Sequence, residues 1–198
     1  AIKYIVITHG HGDHYGGAPY LAKTYGARVL ASKIDWDAMD KLRGRSDGGP
    51  FGAPPARDME IADGQKMKVG DTEMTFYVTP GHTDGVLSTL FKVRESGRSF
   101  TVGFFGGTGG GGDEQHLRNQ VTSLARWMQI TKTAGADVVI ANHPLHDRGI
   151  ENNELLRYRV TGDSNPYVVG KDKYQRYMAV QQQCARVQLA RLGVTDTP

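Results

Sequence analysis

The chain has 198 residues, 38% hydrophobic and 23% charged, which is too apolar for a disordered segment and long enough to enclose a core. Its net charge of +3 comes from scattered Lys and Arg, with no basic run of the kind that tracks nucleic-acid phosphates. A single cysteine, Cys184, excludes an intramolecular disulfide and a thiolate zinc cage, and no apolar run reaches membrane-spanning length.

The run IKYIVIT, residues 2–8, is β-branched and aromatic and predicts a buried strand. Residues 15–25 predict a helix stopped by Gly26. ARVLAS then reads as a strand and KIDWDAMDKLRG as a short helix, an α/β pattern. Residues 43–57 are rich in Gly, Pro and charge and predict a long surface loop. A β-rich stretch follows, with turn signals at ADGQ and VGDT. GVLSTLFKV and RSFTVGFF predict a hairpin around ESG, and GGTGGGG after it a flexible loop. From 113 to 134 the apolar residues Leu117, Val121, Leu124, Trp127 and Met128 fall on one helical stripe with Thr131. DVVIA predicts a buried strand and NHPLHDRG a loop. The remainder reads as helical with a break at TGDSNPYVVG, and the last helix carries Tyr174, Met178, Gln181, Ala185 and Leu189 on one side.

The stretch THGHGDHYGG gathers His9, His11, Asp13 and His14 where a strand gives way to a helix. Imidazole and carboxylate are the groups that suit zinc when thiolate is absent. Residues two apart at a strand end point to one side, so His9 and His11 can grip one ion. Asp13 and His14 lie in the following turn and can serve a second. TPGHTDG places His82, and IANHP places His143, in loops that follow predicted strands. His116 and His146 read as structural or exposed, although His146 stands three residues after His143.

THGHGDHYGG, TPGHTDG and ANHP, in this order, resemble the metallo-β-lactamase superfamily. The resemblance implies one domain over residues 1–198, an α/β (α+β) chain forming an αββα sandwich of two mixed β-sheets flanked by helices. It implies His9, His11 and His82 on one zinc ion and Asp13, His14 and His143 on a second. Many members place a metal-bridging Asp after the strand that here ends in GFFGG. This chain has Gly106 and Gly107 there, and Asp113 falls six residues too late. Without that Asp and without a cysteine ligand, the set resembles the third, His/Asp-only subclass of metallo-β-lactamases.

The activity this implies is a dinuclear zinc hydrolase acting on a small-molecule substrate, with no nucleic-acid or membrane partner. A hydroxide shared by the two ions would attack the carbonyl of a β-lactam amide, with Asp13 holding the second zinc and orienting the nucleophile. An ester, lactone or thioester substrate, and a non-catalytic metal-binding fragment, are the alternatives. Thr8, Asp84 and backbone carbonyls are candidate acceptors for the outer imidazole nitrogens. The 43–57 loop, the glycine loop and the segment after His143 would wall the pocket, with Phe51 supplying apolar contact and Trp36 reading equally as pocket contact or as simple packing. Cys184 reads as a core residue. The family carries several strands before its histidine motif and this chain carries one, so the resemblance also implies N-terminal truncation, or a second chain that completes the sheet.

Overall fold

The computed structural model describes residues 2–43 and 50–194. Residues 44–49, within the expected surface loop, lie outside the described residues. The chain opens with β1 (Tyr4–Val6), the single turn α1 (Gly12–Tyr15) and α2 (Ala18–Tyr25). Gly26 caps α2 in the left-handed conformation, at the stop the sequence marks. The expected helix over 15–25 starts later, at Ala18, because Gly16 and Gly17 separate it from α1.

β2 (Arg28–Ser32), α3 (Lys33–Arg43) and β3 (Met59–Ile61) follow. β1, β2 and β3 pair in parallel, as helical crossovers require. This sheet is therefore parallel rather than mixed. The second sheet holds β4 (Lys66–Val69), β5 (Thr72–Val78), β6 (Leu87–Glu95), β7 (Arg98–Phe105) and β8 (Val138–Ala141) in that order. β4 to β7 are antiparallel neighbours, and β8 joins β7 in parallel after the 21-residue helix α4 (Glu114–Ala134). The short α5 (Gly149–Arg157) and the long α6 (Lys171–Arg191) complete the chain.

Alternation along the strands sorts side chains into packed clusters, three of which lie between the layers. Leu30, Ile61, Phe76 and Leu87 meet between the two sheets, with Val6, Met74 and Val78 packed beside them. Val29 and Ala31, on the opposite face of β2, pack with Trp36, Met39 and Tyr15 under α2 and α3. Phe105, Val139, Leu124, Trp127, Tyr174 and Met178 fill the space between the second sheet and α4 and α6. Helices, sheet, sheet, helices is the expected αββα order. Two buried polar groups are paired here: Trp127 Nε1 donates to Tyr174 Oη at 2.9 Å, and that hydroxyl donates to the Gly103 carbonyl at 3.1 Å.

Side-chain placement decides one open reading, at Trp36, and overturns two expectations, at Cys184 and Gln181. Trp36 is fully buried in the core and donates Nε1 to the Met59 carbonyl, so it lines no pocket. Cys184 is exposed, because it stands one residue, about 100° of helical turn, from Ala185 on the buried stripe of α6. That stripe takes Gln182 rather than Gln181, and Gln182 donates to the Val121 carbonyl of α4 at 2.9 Å.

Candidate metal centre

The two sheets meet where β1 ends and β6 begins: the Leu87 amide donates to the Thr8 carbonyl at 2.7 Å. His9 leaves this junction fully buried. The amides of His14 and Tyr15 donate to the His11 carbonyl, winding α1 and carrying Asp13 and His14 away from His9 and His11. Phe51 lies on this turn. A Cβ at Gly12 would stand 2.6 Å from Phe51 Cδ2, so the glycine lets the ring rest on the backbone. Half of Phe51 stays exposed.

His82 comes from the turn between β5 and β6, where the Gly81 amide donates to the Thr83 carbonyl at 2.9 Å. His143 comes from the loop after β8. Asp147 holds that loop by accepting from the Ala141 amide at 2.9 Å.

These segments converge into two trios. His9, His11 and His82 offer one ligand atom each, as do Asp13, His14 and His143, and within each trio those atoms lie within 4.8 Å of one another. His82 Nε2 stands 3.1 Å from His11 Nδ1. His14 Nε2 stands 3.2 Å from His143 Nε2 and 3.3 Å from Asp13 Oδ2. The trios adjoin, with the rings of His9 and His14 4.0 Å apart between centroids.

The donor geometry fits divalent metal. Two nitrogens bound at zinc distances to a tetrahedral ion stand about 3.3 Å apart, close to the nitrogen separations found here. His9 supplies the decisive atom. Its Nδ1 contacts the Gly106 carbonyl at 3.1 Å, which can only accept, so the proton sits on Nδ1. That leaves the Nε2 lone pair facing its trio, buried and without a hydrogen-bond partner. A buried orphan acceptor is costly in an empty protein and apt for a ligand.

Charge points the same way. Burial, then the neighbouring His14, His82 and His11, lowers the His9 pKa to about 2. Burial first, then His11, lowers that of His82 to about 4. Both imidazoles are held neutral, the form that binds metal. In the unfolded chain they titrate near the ordinary value of 6.5. The unfolded state then binds more protons below that pH, so folding weakens as pH falls. Urea melts of the metal-free protein should show stability declining from about pH 6.5 toward 4, by at most about 1.4 kcal/mol per pH unit for each group. A flat profile over that range would contradict the buried, neutral assignment.

The remaining expected residues separate clearly. Thr8 Oγ1 lies 3.2 Å from His9 Nδ1, and the Gly106 carbonyl is the backbone acceptor anticipated for it. Among the described contacts Asp84 bonds no trio imidazole; its Oδ1 lies 3.9 Å from His116 Nε2. Asp113 joins neither trio: it caps α4, accepting from the His116 amide, and pairs with that imidazole at 2.8 Å. His146 lies outside both trios, its ring centroid 6.1 Å from that of His143. The glycine loop is pinned rather than free. Gln120 Nε2 donates to the Gly107 and Gly109 carbonyls, Asn142 Nδ2 donates to the Gly106 carbonyl, and Thr108 is buried against Asn142. Gln120 was detectable as a polar residue inside the apolar stripe of α4. Nothing local marks Asn142.

Residues 1–97 match the family model described as the metallo-beta-lactamase superfamily. The chain carries a metallo-beta-lactamase superfamily domain. Members of this superfamily are metal-dependent hydrolases. BJP-1, a subclass B3 metallo-beta-lactamase of Bradyrhizobium japonicum, is 25% identical with a TM-score of 0.75, over 96% of this chain and 73% of that one. A metallo-beta-lactamase mutant from Cronobacter sakazakii is 26% identical with a TM-score of 0.73, over 98% and 77%. A hydroxyacylglutathione hydrolase of Cereibacter sphaeroides is 31% identical over 100 residues, which are 50% of this chain and 32% of that protein. The chain thus spans about a third of the length of the curated relatives it matches first. Five of the six trio residues fall within the matched residues 1–97 and His143 lies beyond them; all six stand on turns at the ends of β1, β5 and β8.

Proposed function

We propose that this chain is a dinuclear zinc hydrolase whose substrate is a β-lactam amide. The observation that carries the reading is the donor set: a three-histidine trio against an Asp-His-His trio, with glycines at 106 and 107 and no cysteine in either trio. Likeness across almost the whole chain to a subclass B3 metallo-beta-lactamase and to a second metallo-beta-lactamase supports it. His9, His11 and His82 would hold one ion, and Asp13, His14 and His143 the other. When bound, such ions polarise a carbonyl and lower the pKa of water to about 7.

The chain's own groups do the rest. The bond from His9 Nδ1 to the Gly106 carbonyl fixes one ring tautomer, so Nε2 need not reorganise. Asp13 has a side chain 42% exposed, with Oδ2 turned to His14. Its carboxylate can accept a hydrogen bond from the attacking water and aim it at the amide carbon. Phe51, half exposed against Gly12, and Leu145, 86% exposed two residues after His143, would offer apolar surface to a substituent.

Thioester hydrolysis is the second reading, favoured by the identity between half of this chain and hydroxyacylglutathione hydrolase. A panel of nitrocefin, an acyl lactone and an acylglutathione thioester, run on the zinc-loaded protein, separates the two. Nitrocefin turnover that disappears in His11→Ala together with one of the two zinc ions is the expected result. Thioester turnover alone would replace the β-lactam reading, and an unchanged zinc content in His11→Ala would remove the metal assignment.

A further inference from the structure

Asp35 is 2% exposed, and no cation pairs with it among the described contacts. A carboxylate in such a place is expensive unless donors surround it. The donors around Asp35 come from the backbone and side chains of the site. Asp35 Oδ2 accepts from the Gly10 amide at 2.9 Å and from Thr83 Oγ1 at 2.9 Å. The Gly85 amide is a further donor to the carboxylate. Gly10 stands between His9 and His11, and Thr83 directly follows His82.

The local sequence explains how the carboxylate became available. Ser32 ends β2, and its Oγ accepts from the Asp35 amide at 3.1 Å. Ser-Lys-Ile-Asp is thus half of a capping box, in which the acidic residue would ordinarily turn back to the serine amide. Here it is diverted outward to two other loops. Gly85 has no side chain to prevent this, since a Cβ there would stand 2.3 Å from Ser32 Oγ and 2.7 Å from Asp35 Cγ. Burial raises the Asp35 pKa, and the bonds from Thr83, Gly10 and Gly85 oppose that rise.

Resting on the metal-centre reading above, we infer that Asp35 is a positioning residue of the first trio: its buried carboxylate clamps the His9–His11 turn to the His82 loop and sets the convergence of their three imidazoles. It touches no ligand nitrogen and acts through backbone. The second trio, whose Asp13, His14 and His143 make none of these bonds, does not depend on it to the same degree.

Cobalt(II) titration of the full chain, followed by visible absorption, tests this. His14→Ala leaves only the first trio intact and His11→Ala only the second, which assigns the two binding events. Asp35→Asn keeps the shape but turns one amide N–H toward a ring of donors. It should weaken the first-trio event about tenfold or more, the lower end for losing an outer partner, and alter its spectrum, while the second stays within twofold of the parent. Asp58→Asn is the control, because Asp58 also captures a backbone amide, that of Val29 at 2.8 Å, but pairs with Arg28 rather than the trios. It should leave both events unchanged. Thr83→Val removes one donor and should act in the same direction as Asp35→Asn by a smaller factor, which keeps the test available if Asp35→Asn does not fold. Equal weakening of both events, unchanged binding in Asp35→Asn or Thr83→Val, or the same selective loss in Asp58→Asn would overturn the inference. If the parent chain binds no cobalt, the metal-centre reading itself fails and the inference falls with it.

Discussion

Replacing His9 with alanine should empty the first trio and lower turnover more than about 100-fold, beyond the usual cost of losing only an outer partner of a ligand. The size follows from burial. His9 is fully enclosed, and its Nε2 has no partner within the protein. Nothing beside it can swing in as a replacement, because His11 and His82 are already in the trio and His14 belongs to the adjoining one. The metal-free protein should behave differently. There the variant removes a buried orphan acceptor, so its unfolding midpoint should fall less than a cavity of that size alone would cause. Metal content by native mass spectrometry, turnover, and apo-protein urea melts measure the three effects. His116→Ala, outside both trios, should leave metal content unaltered. A His9→Ala protein that kept its full complement of metal would refute the trio.

The second large effect is expected at Gly106. A Cβ there would lie 2.0 Å from the Leu87 carbonyl oxygen, a backbone atom of β6 that cannot rotate aside. Gly106→Ala must push β6 away from the end of β7, where the Leu87 amide also bonds the Thr8 carbonyl. We expect a loss of about 3 kcal/mol in urea denaturation, toward the upper end for overpacking a close contact. The displaced Gly106 carbonyl would also release His9 Nδ1 and Asn142 Nδ2, so metal affinity should fall with stability. Gly111→Ala is the contrast, since a Cβ there meets nothing within 4 Å. It should be close to neutral, and similar losses in the two variants would disprove the steric argument.

The legible part of this protein is the part written in short-range pattern. β-branched runs mark the strands, Gly26 marks the end of α2, and the stripe from Leu117 to Thr131 marks the buried face of α4. Four of the six trio residues crowd into THGHGDH, and the resemblance implies the grouping that adds His82 and His143. What escaped is set by rotation and by long-range contact. Cys184 and Gln181 were each misplaced by one residue on α6, where one residue changes the exposed face. The sequence leaves Trp36 between pocket contact and core packing, because its partner, the Met59 carbonyl on β3, lies 23 residues on. Asp35 carries no signal read from the sequence, because its partners lie 25 and 48 residues away. The glycine loop read as slack because its restraints, Gln120 and Asn142, arrive from later elements.

The spread of the site along the chain has a consequence for how it forms. His14 and His143 are 129 residues apart, and His11 and His82 are 71 apart. Such contacts carry a high loop-closure entropy and a high contact order, which place them late in folding. The first trio cannot close before the two sheets dock, and the second cannot close until β8 has zipped onto β7. A chain emerging from the ribosome presents His9, His11, Asp13 and His14 early, as an open and weak chelator. Capture of an ion in its final geometry therefore reports completed tertiary assembly, and the last strand of the second sheet acts as the latch.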